Sequence, residues 1–135
     1  MPALNDLARK QFDADSKYED HVHFLHVYVI EPHPQAPDVS PYRGQVWEHD
    51  HSTKGQPRTY DGRVANATDI EPLLEGDQHL VVDDLTPRPL NNPVWCTYGP
   101  CPNCAYLINQ QGIIEEAQTW FEDTDMESAI NDLLK

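Results

Sequence analysis

Three cysteines fall within nine residues, Cys96, Cys101 and Cys104, and the 95 residues before them hold none. Cys101-Pro-Asn-Cys104 has the separation at which two thiols can close a disulfide and reopen it by thiolate exchange. In redox proteins such a pair opens a helix, whose N-terminus favours the thiolate. Here the pair leads into Ala105 to Asn109, which reads as a strand, so that activation is missing. The competing readings are small buried hydrophobes or an incidental disulfide. Cys96, Cys101 and Cys104 could also supply three zinc ligands with a histidine as the fourth. No second CxxC and no HxxxH supports that set.

Glu31 and His33 put a carboxylate and an imidazole at the end of a predicted strand, where α/β proteins form ligand sites. They could serve as a general acid/base pair or proton donor; the plainer reading is a pair that anchors a loop. His49-Asp-His51 aims two imidazoles to one side of an extended segment, a candidate metal pair set against a solvated polar loop. His21 and His23 share one strand face and His26 takes the other, so the three are no cluster. His26 is expected to be a satisfied histidine in or near the core. Trp47, Trp95, Trp120, Tyr42 and Tyr98 lie in or beside loops, where they could line a pocket or simply pack.

The elements that must position these groups follow from periodicity. Leu4, Leu7, Ala8 and Phe12 predict an amphipathic helix over 3–17, with Pro2 suited to its first turn. Val22 to Glu31 is β-branched, aromatic and nearly all apolar, which predicts a strand covered on both faces. Residues 32–57 carry Pro32, Pro34, Pro37, Pro41 and Pro57 and read as a long irregular loop. Residues 58–74 predict a helix with Tyr60, Val64, Ala67 and Ile70 on its apolar side, against which Gly62 and Pro72 weigh. Leu80 to Val82 predicts a short buried strand and 84–103 a loop. Ala105 to Asn109 and Ile113 to Thr119 flank Gln110-Gln-Gly112 as a hairpin. Thr124-Asp-Met-Glu127 reads as a capping box, opening a helix with Met126, Ala129, Ile130, Leu133 and Leu134 as its stripe. A strand–helix–strand unit, a hairpin and a closing helix make an α/β sandwich, one domain over residues 1–135.

Charge narrows the function classes. The 135 residues carry 23 acidic against 9 basic side chains, a net charge of −14. That argues against nucleic acid and against anionic membrane surfaces, both of which need positive potential. The longest apolar stretches are far short of a bilayer span, and no basic-then-apolar leader pattern appears. A cytoplasmic protein is the expectation, and the odd cysteine count fits poorly with a fully paired secreted framework.

Three stretches together resemble the thioredoxin-like superfamily, in its iodothyronine deiodinase-like branch. Phe24-Leu-His-Val-Tyr-Val-Ile-Glu-Pro-His-Pro34 is similar to that family's strand ending in Tyr-x-x-Glu-x-His-Pro. Gln56-Pro-Arg-Thr-Tyr60 is similar to the opening of its next helix. Val81-Val-Asp-Asp-Leu85 with Asn92-Pro93, Tyr98-Gly-Pro100 and Pro102-Asn-x-Ala-Tyr-Leu-Ile108 resembles its second half. The resemblance runs from about residue 4 to residue 134. It implies that Glu31 and His33 match positions supporting the family's site, and that Pro102 matches a cis-proline facing it. Cys101 would then lie beside the place of the family's nucleophile.

The departure is that this sequence begins inside the first helix, without the central strand and the cysteine or selenocysteine at that helix's start. Either the sheet closes by joining the strands at 22–31 and 104–109, or a partner chain fills the gap; a homodimer is the preferred expectation. The expected function is a degenerate domain binding a small molecule or a protein, with no cofactor. The alternatives are a thiol–disulfide oxidoreductase using Cys101 and Cys104, with Glu31 and His33 beside them, and a zinc-stabilised module.

Overall fold

Two small sheets, each of two strands, share one core beneath two helices. The computed structural model describes residues 2–41, 53–85, 92–99 and 103–135. Helix α1 spans Pro2–Arg9, β1 Phe24–Tyr28, α2 Tyr60–Thr68, β2 Gln78–Val82, α3 Pro93–Tyr98, β3 Ala105–Ile108, β4 Ile114–Gln118 and α4 Asp123–Leu133. β1 and β2 pair in parallel, Phe24 opposite Gln78 and Tyr28 opposite Val82. β3 and β4 pair antiparallel, with an irregularity after Leu107. The fold is thus mixed α/β, with a parallel strand–helix–strand unit followed by a hairpin and a helix.

The core is built from Leu7 and Ala8 of α1, Tyr18, Phe24 of β1, Leu107 of β3, and Met126 and Ile130 of α4. Phe24 and Leu107 meet in one cluster although β1 and β3 belong to different sheets. Among the described residues, the two strands are not joined in one sheet, so direct closure of the sheet does not occur.

Several expected boundaries shift. α1 stops at Arg9 rather than near residue 17, because Asp13 and Ser16 compete for backbone groups. The Asp13 carboxylate accepts the Asp15 N–H, and the Ser16 carbonyl takes the Phe12 N–H, closing a turn. β1 is shorter than Val22 to Glu31 and is not covered evenly on both faces: Leu25 is 57% exposed, and Val81, on the same face of β2, is also open to solvent, while Val27, opposite Val81, is half-buried. α1 and α4 pack on the side of Phe24. α2 ends at Thr68, and a 3-10 turn at Glu71–Leu73 replaces the rest of the expected helix, with Pro72 within it.

α2 also turns a different face inward. Tyr60 and Val64 are exposed, while Arg63 and Ala67 are buried. A short helix, α3, occupies part of the stretch read as loop, with Pro93 in its first turn and Gly99 just past its end. α4 begins at Asp123 without the expected capping box. Glu127 faces Lys10 and the Tyr18 hydroxyl instead of the helix start. Gly76 enters β2 at φ +82°, and the Glu19 carboxylate fills the space where a Cβ would stand while accepting the Asp77 N–H.

No helix among the described residues is long and apolar enough to cross a membrane.

Candidate functional site

The ends of β1 and β2 lie side by side, because the Asp83 N–H donates to the Tyr28 carbonyl at 2.9 Å and extends the parallel ladder. Two polar assemblies form there, one after each strand.

After β1, the Tyr28 hydroxyl donates to Glu31 Oε2 at 2.6 Å. The Gln56 side chain grips the backbone of Glu31: its Nε2 donates to the Glu31 carbonyl, and its Oε1 accepts the Glu31 N–H at 3.1 Å. The Gln56 N–H in turn donates to Asp38 Oδ2 at 2.8 Å, and Arg58 pairs with the other Asp38 oxygen. The buried Ser40 hydroxyl donates to the Pro32 carbonyl at 2.5 Å. Segments 31–41 and 53–58 are therefore stitched into one platform that fixes where Glu31 points. Glu31 and His33 are both half-buried within it, three and five residues past the end of β1. Burial pushes the Tyr28 hydroxyl well above the ordinary tyrosine range, reinforced by its bond to Glu31 and by the Glu31 charge. Tyr28 thus holds its proton and presents it to the carboxylate.

After β2, Asp83 takes over the job of capping α3. Its two oxygens accept the Val94 and Trp95 N–H groups at 3.0 and 3.1 Å. Arg63, only 1% exposed, donates to the Asp83 carbonyl at 3.0 Å and to Asn92 Oδ1 at 2.6 Å. Its Nε finds no partner among the described residues. Burial lowers the Arg63 guanidinium from its ordinary value, opposed by the charges of Asp83, Tyr28 and Asp84. The cluster locks α2, the end of β2 and the start of α3 together, and its charge lies beside Tyr28.

The cysteines divide. Cys104 is disulfide-bonded, and Cys96 is a free, exposed thiol on α3. Cys101 and Pro102 lie outside the described residues, as do Tyr42, Trp47, His49 and His51. Cys104 leads directly into β3 and does not open a helix. Among the described residues, no group of three or more metal-ligating side chains comes together.

His26 meets Gln78 Oε1 at 2.7 Å and is the satisfied near-core histidine expected. His23 stacks loosely on His79 at 6.3 Å, while His21 bonds Ser16. Trp120 is exposed, Trp95 is half-buried, and Tyr98 packs on Tyr106 at 5.1 Å.

Tyr28, Gln56 and Arg63 are the site residues the sequence reading passed over. Tyr28 and Gln56 stood inside stretches already singled out, three residues before Glu31 and at the opening of the next helix. Arg63 left no such trace, since an arginine in an amphipathic helix reads as solvent-facing.

Comparison with protein families, with curated proteins and with solved structures finds no match to this chain.

Proposed function

We propose that the chain is a binding module on a degenerate thioredoxin-like, deiodinase-like domain. Its ligand contacts lie on the platform at the ends of the parallel strands. The observation that carries this reading is the Tyr28–Glu31 pair, held in place through the Gln56 clamp on the Glu31 backbone. Such a pair offers a fixed carboxylate acceptor in a half-buried setting, suited to a small molecule carrying an ammonium or hydroxyl donor. Two sheets that share a core but not a ladder agree with a thioredoxin-like sheet lacking its central strand. The reading includes a cytoplasmic setting and a homodimer.

The test is a titration with an iodothyronine, which joins an ammonium to a halogenated phenol, followed by amide chemical shifts. Binding is expected to shift residues 28–33 and to release no iodide in the presence of thiol. Glu31→Gln should weaken it at least tenfold, about 1.4 kcal/mol. No binding, binding indifferent to Glu31, or thiol-dependent iodide release would reject the proposal.

One observation favours a second reading, thiol–disulfide exchange through Cys101 and Cys104: Cys104 is held as a disulfide. An external dithiol would supply the two electrons and two protons that open it, and would leave as a disulfide. Cys101→Ser should abolish any exchange while sparing the fold; exchange that persists in the variant ends this reading.

A further inference from the structure

Residues 89–114 form a run of 26 without a single Asp, Glu, Lys or Arg, in a chain whose net charge is −14. Its described parts assemble into one face. Leu107 of β3 points into the core with Met126 and Ile130, so strand alternation turns Tyr106 and Ile108 to the opposite side. The register sets Ile108 against Ile114 and Tyr106 against Ala117. Tyr98 of α3 packs its ring on Tyr106, and the Tyr106 hydroxyl donates to the Tyr98 carbonyl at 2.5 Å. The face thus runs from α3 across the hairpin, with Ile113 at its tip. Ile108 is 47% and Ile114 45% exposed. Glu115, the first acid beyond the run, is engaged by Asn109.

We infer that this uncharged face, Tyr98, Tyr106, Ile108, Ile113 and Ile114, is where a second copy of the chain docks. The inference rests on the homodimer reading above and names its surface. Charge selects the occupant. A cationic partner would gain by sitting on the acidic remainder of the molecule and gains nothing from a neutral patch. A partner as acidic as this chain approaches best where like charges are fewest, and on the hairpin the adjoining acid, Glu115, accepts a hydrogen bond from Asn109. Apolar and neutral, it complements itself across a two-fold axis.

Sedimentation equilibrium of the full chain over a range of concentration and salt tests this, with circular dichroism to check folding. The wild type is expected to dimerise, and more tightly as salt rises from about 0.05 to about 1 M, since screening removes repulsion between the acidic bodies. Ile108→Glu and Ile108→Lys should each weaken the dimer at least tenfold, because either charge would be buried unpaired. Leu25→Glu, at an exposed position on the other sheet, should leave it intact. A dimer that tolerates both Ile108 variants, or that loosens in salt, overturns the hairpin face while leaving the homodimer standing. A wild type that stays monomeric at every concentration overturns the dimer itself.

Discussion

Tyr28 and Glu31 are three residues apart, yet their contact depends on Gln56, 25 positions further along. A raised tyrosine pKa favours folding below the ordinary value of 10.0, and that contribution is lost as pH climbs past it. Alkaline titration followed by ultraviolet absorbance should show the buried Tyr18 and the half-buried Tyr28 ionising late, Tyr28 last, and Tyr28→Phe should remove the later step. A titration with no late tyrosine would contradict the pair. Arg63 is the costlier residue. Replacing it with Met removes the hydrogen bonds to Asn92 Oδ1 and the Asp83 carbonyl, and should cost about 1–3 kcal/mol in urea unfolding. Its burial was not legible, because periodicity counts apolar residues and Arg63 is held inward by hydrogen bonds. Glu31, in contrast, reads from the sequence as the end of a strand over Val22 to Glu31; the strand stops at Tyr28, and Glu31 lies three residues beyond it.

At the scale of elements, α4 shows how a correct helix can be misread in detail. Met126 and Ile130 were expected inward and are, but Leu133, from the same stripe, is 40% exposed while Ile130 is 1% exposed. The helix outruns the sheet beneath it, so its last turn has nothing to cover. Ile130→Ala should therefore cost about 2–5 kcal/mol, and Leu133→Ala well under half of that, by denaturant melts. Equal losses would mean that the C-terminal turn packs as firmly as the middle. The missing capping box has the same tertiary origin. Glu127 is drawn to Lys10 and Tyr18, and the Lys10 hydrogen bond holds its carboxyl below its ordinary value. A depressed carboxyl favours folding above its unfolded pKa near 4.5 and loses that contribution as pH falls below it. Glu127→Gln should flatten the loss of stability in acid; an unchanged acid limb would mean the pair holds nothing together.

For the whole molecule, the α/β class and most of the elements were readable from hydrophobic period and turn residues, while α3, in a stretch that reads as loop, was not. The parallel unit, the hairpin and the closing helix all stand where those signals put them. The sidedness was not readable. Leu25 and Val81 are as apolar as any core strand residue, and nothing in the local pattern says that both stay exposed while Phe24 is buried. The split between two sheets was equally hidden, since a strand's composition does not reveal which strand it pairs with.

Gly76 bears on how this chain tolerates change. A side chain there would need a left-handed backbone and would collide with Glu19, which fastens the entry of β2 through the Asp77 N–H. In a saturation scan of every position, 76 should stand out as almost mute to substitution while the equally positive-φ Gly112, with open space around it, accepts Asn and Asp. The chain would then carry a sharp demand at a turn that touches no site, set by the left-handed backbone and by the bond from the Asp77 N–H to the Glu19 carboxylate that a side chain would displace.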